Sequence, residues 1–240
     1  MYSTHTNKRM KYKRRLEAGL ILFALRKRMK LKELEEKTGI PLSLISRYST
    51  GDILPGERHV EAIEKLLLDE AIISNLLYSY IDVRGKLAIG HRLASEPLTL
   101  WIAAKTISYR LEQRGFDFNI ILTPEVGGIP IAVSLSQLRQ TRLIIARRKR
   151  YLTWKKVVAG LGGSAEHVKV YYVDGSDLDN DNAKILLIDD IVVEGDTMES
   201  LVDLVSNANR EVCCMYSVYG IGKRWRTKFP QLEVLAEIEG

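Results

Sequence analysis

Asp189 and Asp190 stand side by side where an apolar run ends, in the stretch KILLIDDIVVEGDTMES from Lys184 to Ser200. Adjacent carboxylates can accept hydrogen bonds from the vicinal hydroxyls of a sugar. The residues that follow, Val193, Glu194, Gly195, Asp196 and Thr197, form a short loop before a helix-forming run from Met198. Backbone N–H groups in such a loop, with the positive end of a helix dipole behind them, make an anion cradle. Together the two features suit a ligand that is a sugar on one side and a phosphate on the other. A blander reading is a buried strand that ends in a turn, with Asp196 or Thr197 capping the helix.

The chemistry requires a strand beneath the acids. Ile185 to Ile188 is apolar throughout, as a strand covered on both faces must be, which puts the acids at its carboxyl end, where open α/β sheets bind ligands. Four apolar residues, two acids and a loop ending in Gly-Asp-Thr resemble the phosphoribosyl pyrophosphate (PRPP) motif of type I phosphoribosyltransferases. The resemblance implies that Asp189 and Asp190 hold the ribose hydroxyls and that residues 193–197 wrap the 5′-phosphate. It also implies Mg²⁺, entering only together with PRPP. The chain departs from the motif at Glu194, where the family usually has Thr, and at Asp196, where Gly or Lys is common. Both acids would repel a phosphate unless they point outward or a metal intervenes. Val193 sits where some base-salvage members place a catalytic acid.

From Pro97 onward, helix and strand patterns alternate as a parallel α/β sheet requires. Helices are predicted over 98–114, 129–138 and 198–207, and strands over 118–122, 142–146, 169–173, 184–188 and 212–218. The fold implied is a doubly wound parallel sheet of about five strands with a small hood, to which 222–225 and 232–238 contribute. By the same resemblance, Glu125, Val126, Gly127 and Gly128 occupy the pyrophosphate loop, and Arg147 and Lys149 are candidate contacts for that anion. A solvated basic patch or further DNA-contact surface is the alternative for Arg147 to Arg150. Residues 151–167 stand in the place of the family's mobile catalytic loop, with Gly160, Gly162, Gly163 and Ser164 for flexibility and Lys155 and Lys156 in reach of a pyrophosphate. They lack the orotate-type loop signature. Trp225 is read as packing before base stacking.

The first seventy residues differ in character. A helix is predicted over 15–29, with Leu16, Leu20, Phe23 and Ala24 on one face. Two short amphipathic helices then flank Thr38-Gly39-Ile40, and Pro55 precedes a further helix over 58–68. This segment, 15–68, resembles the helix-turn-helix of phage-repressor-like (Cro/C1-type) regulators. The resemblance makes 41–48 the recognition helix, with Ser43, Ser46 and Arg47 as base or phosphate contacts and Lys30 and Lys32 on backbone phosphates. Glu35 replaces the usual small residue. Lys8, Arg9, Lys11, Lys13, Arg14 and Arg15 precede the first acid, Glu17, and read as a basic arm adding phosphate contacts. Short helices around a glycine turn also occur in domains that never meet DNA.

The chain has 240 residues, a net charge of +6 and a pI near 9.2, consistent with a polyanionic partner. No apolar run is long enough for a membrane span and the start lacks a signal-peptide core, so a cytoplasmic location is expected and no membrane partner. Cys213 and Cys214 are neighbours in an expected strand, facing opposite sides as small core residues, and the four histidines show no ligand spacing. No structural metal site is read.

Three segments follow: a DNA-binding domain over 1–68, an apolar helical linker or dimerisation segment over 69–97, and a phosphoribosyltransferase-like domain over 98–240. The whole is similar to archaeal orotate-phosphoribosyltransferase-like transcription regulators and, more loosely, to the bacterial purine repressor. That implies a homodimer on double-stranded DNA, tuned by PRPP or a phosphorylated nucleotide-like ligand. Glu194 and Asp196 favour a sensor over an enzyme. The alternative is an active phosphoribosyltransferase, and a third reading has the acidic loop exclude PRPP in favour of another phosphorylated metabolite.

Overall fold

A computed structural model describes residues 2–84, 87–164, 167–180 and 182–239. The chain divides into two compact units, Met1–Leu76 and Leu77–Gly240. Among the described residues no helix is long and apolar enough to cross a membrane.

The first unit is helical: α1 (Tyr2–Leu25), α2 (Leu31–Thr38), α3 (Leu42–Thr50), α4 (Glu57–Lys65) and α5 (Glu70–Leu77). Helix α1 buries Ala18, Ile21, Leu22 and Leu25, an i, i+3, i+4, i+7 stripe, together with Ala24. The expected face is corrected: Leu16, Leu20 and Phe23 are 43%, 45% and 48% exposed. Both stripes have helical spacing, and docking decides between them. At Gly19 a Cβ would lie 3.0 Å from the Tyr48 carbonyl, so α3 crosses α1 on the glycine side.

The basic arm is the first half of α1, and some of its cations make contacts within the first unit while most stay exposed. Arg14 forks onto the buried carboxylate of Glu64, with Nε 3.0 Å from both oxygens. Arg15 donates to the carbonyls of Pro55 (2.7 Å) and Leu54 (3.2 Å), and Lys11 pairs with Glu57 at 2.9 Å. Lys8 and Arg9 are exposed.

Helix α2 ends at Gly39, whose φ of 67° a side chain would resist, and α3 begins three residues later. Glu35 accepts the Leu42 N–H at 3.1 Å, so this acid caps the start of α3.

The second unit opens with a short antiparallel pair, β1 (Asp82–Arg84) and β2 (Leu87–Ile89), then α6 (His91–Ala94) and α7 (Pro97–Gln113). The turn expected at Arg84-Gly85 falls partly on Gly85, outside the described residues. Next come β3 (Ile120–Pro124), α8 (Ile129–Arg139), β4 (Arg142–Ala146), β5 (Val157–Ser164), β6 (His167–Asp174), β7 (Ile185–Val192), α9 (Asp196–Asn207), β8 (Val212–Ile221), α10 (Arg224–Lys228) and β9 (Leu232–Ile238). Five strands form a parallel sheet in the order β4-β3-β7-β8-β9.

The apolar run of β7 is buried on both sheet faces. Ile185 and Leu187 join the core made with Leu201 and Leu204 of α9, and Leu186 and Ile188 point to the other face. There α8 packs on β3, β4 and β7, with α7 against α8.

Three expectations change in this unit. Residues 169–173 belong to β6, which pairs antiparallel with β5 in a separate two-stranded sheet. The segment expected as a flexible loop is therefore largely strand, and its glycines serve close approach. A Cβ at Gly160 would collide with the Ser200 carbonyl, and one at Gly162 with that of Asp196. Strand β5 thus lies directly on α9, whose Asp203 and Glu199 accept the N–H groups of Leu161 (2.8 Å) and Gly163 (2.9 Å). Residues 232–238, expected in a hood, are the edge strand β9, and Trp225 is fully buried with its indole N–H on the Gly222 carbonyl at 3.1 Å.

The cysteines are corrected as well. The β7–β8 register steps from Ile185↔Val212 to Leu186↔Cys214, so a bulge holds Cys213 out of the ladder. The two sulfurs lie 3.3 Å apart on half-buried residues, where regular pleating would have put them on opposite faces.

Candidate functional site

Strand β7 runs on to Val192, so Asp189 and Asp190 lie inside it rather than past its end. Their two carboxylates nevertheless lie close enough to interact with each other. Asp189 is buried and accepts the Asp190 N–H at 2.9 Å. Burial, and then the neighbouring Asp190 charge, raise its carboxyl well above the ordinary range, and Lys169 partly offsets this.

The turn after β3 reaches both acids. A Cβ at Gly127 would sit 2.5 Å from each Asp190 oxygen, and one at Gly128 would strike the Thr123 hydroxyl and come within 3.1 Å of Asp189 Oδ1. Gly127 is therefore imposed by Asp190, and Gly128 mainly by Thr123, with Asp189 close behind. The Glu125–Val126 peptide is cis, and Val126 is exposed. Glu125 is turned to the end of β4: its Oε1 accepts the Arg148 N–H at 2.5 Å, and its Oε2 lies 3.5 Å from Arg147 Nη1.

Beyond β7, Gly195 takes a φ of 88° at the start of α9. Residues 191–198, Asp189 and Lys169 enclose a cavity of about 120 Å³. Lys169 of β6 donates to the Thr197 hydroxyl at 2.9 Å and is the one cation in this lining. Reading the sequence missed it. Its only signal was a lone Lys in the otherwise apolar alternation of HVKVYYVD. The loop's acids are paired: Arg224 donates to Glu194 at 3.0 Å, and Lys228 to Asp196 at 2.8 Å and Glu199 at 3.1 Å. A second cavity of about 330 Å³ adjoins Asp190, walled by Gly90, Leu93, Val126, Gly127 and Ile191 among others.

The structure thus brings together Asp189, Asp190, residues 193–197 and Gly127-Gly128, with Glu125 and Arg147 alongside. Arg147 is committed to Glu125 and lies over the Tyr151 ring, 5.6 Å from its centroid. Lys149 is exposed, and among the described contacts none ties it to the loop. Of the lysines expected in the mobile segment, Lys156 is held by Asp179 at 2.6 Å and Lys155 is exposed. In the first unit, Ser43, Arg47, Lys30 and Lys32 are exposed, and Ser46 is half-buried with its carbonyl taking the hydroxyls of Ser49 and Thr50.

Residues 93–236 match the phosphoribosyl transferase domain, a span of more than half the chain. Orotate phosphoribosyltransferase of Pyrococcus furiosus is 24% identical over 139 residues, which cover 58% of this chain and 64% of that protein. Hypoxanthine/guanine phosphoribosyltransferase of Methanosarcina acetivorans is 30% identical over 116 residues, 48% of this chain and 59% of that one. The chain thus spans less than two thirds of these curated relatives. Adenine phosphoribosyltransferase of Rhodothermus marinus superposes with a TM-score of 0.61 at 16% identity, covering 70% of this chain and 99% of that one. With this fold and this span of matching sequence, the chain belongs to the phosphoribosyl transferase domain family.

Proposed function

We propose that the chain is a DNA-binding regulator whose phosphoribosyltransferase domain binds PRPP or a related phosphoribosyl metabolite. The observation that carries the ligand reading is the convergence of Asp189, Asp190, the 193–197 loop and the Gly127-Gly128 turn at the carboxyl end of the adjacent interior strands β3 and β7. The carboxylates accept the ribose hydroxyls, the 193–197 loop and Lys169 take the 5′-phosphate, and the Glu125–Gly128 turn faces the pyrophosphate. Arg147 and Lys149 are left as secondary contacts for that anion. Among the described residues no cluster of three or more acids, histidines or cysteines could hold a metal alone. Two hard carboxylates suit Mg²⁺ that arrives with most of its oxygen ligands on PRPP. Such an ion, held through Asp189 and Asp190, would neutralise charge on the pyrophosphate.

The DNA reading rests on the first unit. Two short helices are joined by a three-residue turn, with Ser43 and Arg47 exposed on the second helix and Lys30 and Lys32 at the start of the first. A homodimer would present two such units to paired half-sites. Ligand binding would then alter operator affinity by the coupling energy, typically about 1–3 kcal/mol. Favouring a sensor over an enzyme are Val193 in the place of a catalytic acid and the docking of 157–164 onto α9 where a mobile loop was expected. The second reading, an active transferase, is supported by the 330 Å³ cavity beside Asp190, large enough for a base, and by relatives named as transferases.

Pyrophosphate release from PRPP and Mg²⁺ with a panel of purine and pyrimidine bases separates the two. The regulator reading expects none, and turnover at ordinary enzymatic rates would put the enzyme first. Arg47→Ala should weaken binding to a genomic DNA fragment while leaving ligand binding intact. Unchanged DNA affinity would refute the placement of the recognition helix.

A further inference from the structure

The cradle presents a contradiction in charge. A phosphate dianion needs a positive site, yet the loop carries Glu194 and Asp196, and Glu199 follows one turn into α9. Acids in a first helical turn stabilise the helix by occupying the pole that a phosphate would use. Each of the three is met by a cation from one short segment. Arg224 reaches Glu194, and Lys228 bridges Asp196 and Glu199. That segment also walls the loop, since a Cβ on Gly195 would meet the Phe229 ring at 3.3 Å and the Lys228 stem at 3.6 Å.

We infer that Arg224 and Lys228 are counter-ions of the phosphate site, cancelling the charge of Glu194 and Asp196 so that an acidic loop can receive a phosphate. Resting on the reading of residues 193–197 as the phosphate cradle, this assigns a role to α10, which lies outside that motif. The pairs tie both acidic side chains to α10, although Glu194 and Asp196 also line the cavity with Lys169 and Thr197. Lys169 then supplies the inward-facing charge and Lys228 the outward-facing compensation. Removing Lys228 exposes the dianion to Asp196. Removing Asp196 leaves Lys228 paired with Glu199 alone, so less of its charge is cancelled beside the loop.

The test is calorimetric titration of the full chain with ribose 5-phosphate, at two salt concentrations, using Lys228→Gln, Asp196→Asn and the double variant. An exposed pair of this kind is worth up to about 1 kcal/mol, so Lys228→Gln should weaken binding about fivefold. Asp196→Asn should bind at least as tightly as the unaltered chain, and in the double variant it should restore the loss to within about twofold. The single-variant differences should shrink as salt rises. Lys228→Gln with unchanged affinity, or a loss that Asp196→Asn does not rescue, overturns the inference. If Lys228→Gln fails to fold, Arg224→Gln with and without Glu194→Gln makes the same test, with the same expected rescue. Absence of binding by the unaltered chain would instead overturn the cradle reading beneath it.

Discussion

Replacing Asp189 with Asn should stabilise the second unit while abolishing its ligand response. The side chain is buried, it accepts the Asp190 N–H, and the Asp190 carboxyl group lies against it. Burial and the Asp190 charge both raise its carboxyl above the ordinary range. A raised acid makes the folded state bind more protons than the unfolded chain, so stability falls as pH climbs from the unfolded value, about 3.9, through the folded one. Asn keeps the acceptor for the Asp190 N–H and removes the charge. Relief of a strained functional site of this kind is commonly worth about 0.5–2 kcal/mol, or about 1–8 °C in Tm for a domain of this size. Scanning calorimetry of the full chain between about pH 4 and pH 8 reads it directly. The variant should gain on the unaltered chain with rising pH, and the two should converge toward pH 4. A variant less stable at pH 7, or a gap that does not change with pH, would refute the argument that Asp189 is held at an energetic cost for function.

Two further substitutions test the packing. Arg14→Ala leaves the Glu64 carboxylate buried and unpaired, which costs about 3–5 kcal/mol for a fully buried pair and less here, where Arg14 is 48% exposed. Urea unfolding of the first unit should shift by about 2 kcal/mol and recover in part in Arg14→Ala/Glu64→Gln; no shift would mean the pair does not hold α1 on α4. Gly160→Ala should cost about 1–3 kcal/mol or more, because the added carbon meets the backbone of Ser200. A neutral result would return residues 157–164 to the flexible loop that their glycines first implied.

What was legible depended on whether local pattern and tertiary contact pointed the same way. Strand β7 was plain in Ile185–Ile188 because a strand covered on both faces has one pattern available to it. Strand β4 was found at its full extent, Arg142–Ala146. Strand β5 was hidden, since glycine marks both a mobile loop and a strand lying on a helix, and the Ser200 and Asp196 carbonyls that decide the matter are remote in sequence. The α1 stripe went wrong for a related reason: two apolar faces compete on one helix, and Gly19 selects between them through Tyr48. At the site, the acids and the loop showed themselves, but their compensation did not. Lys169, Arg224 and Lys228 come from three positions up to 59 residues apart, and no local spacing announces that they meet the loop and the first turn of α9. The acids at 194 and 196 looked disqualifying only because their partners could not be seen.

The most direct test of the central claim is calorimetric titration of the full chain with PRPP and Mg²⁺, set against the variant Asp189→Asn/Asp190→Asn. The unaltered chain should bind and the double variant should not, with folding of the variant verified by its thermal transition. Equal binding by a folded double variant would contradict the account, because no phosphoribosyl ligand could then be resting on these two carboxylates.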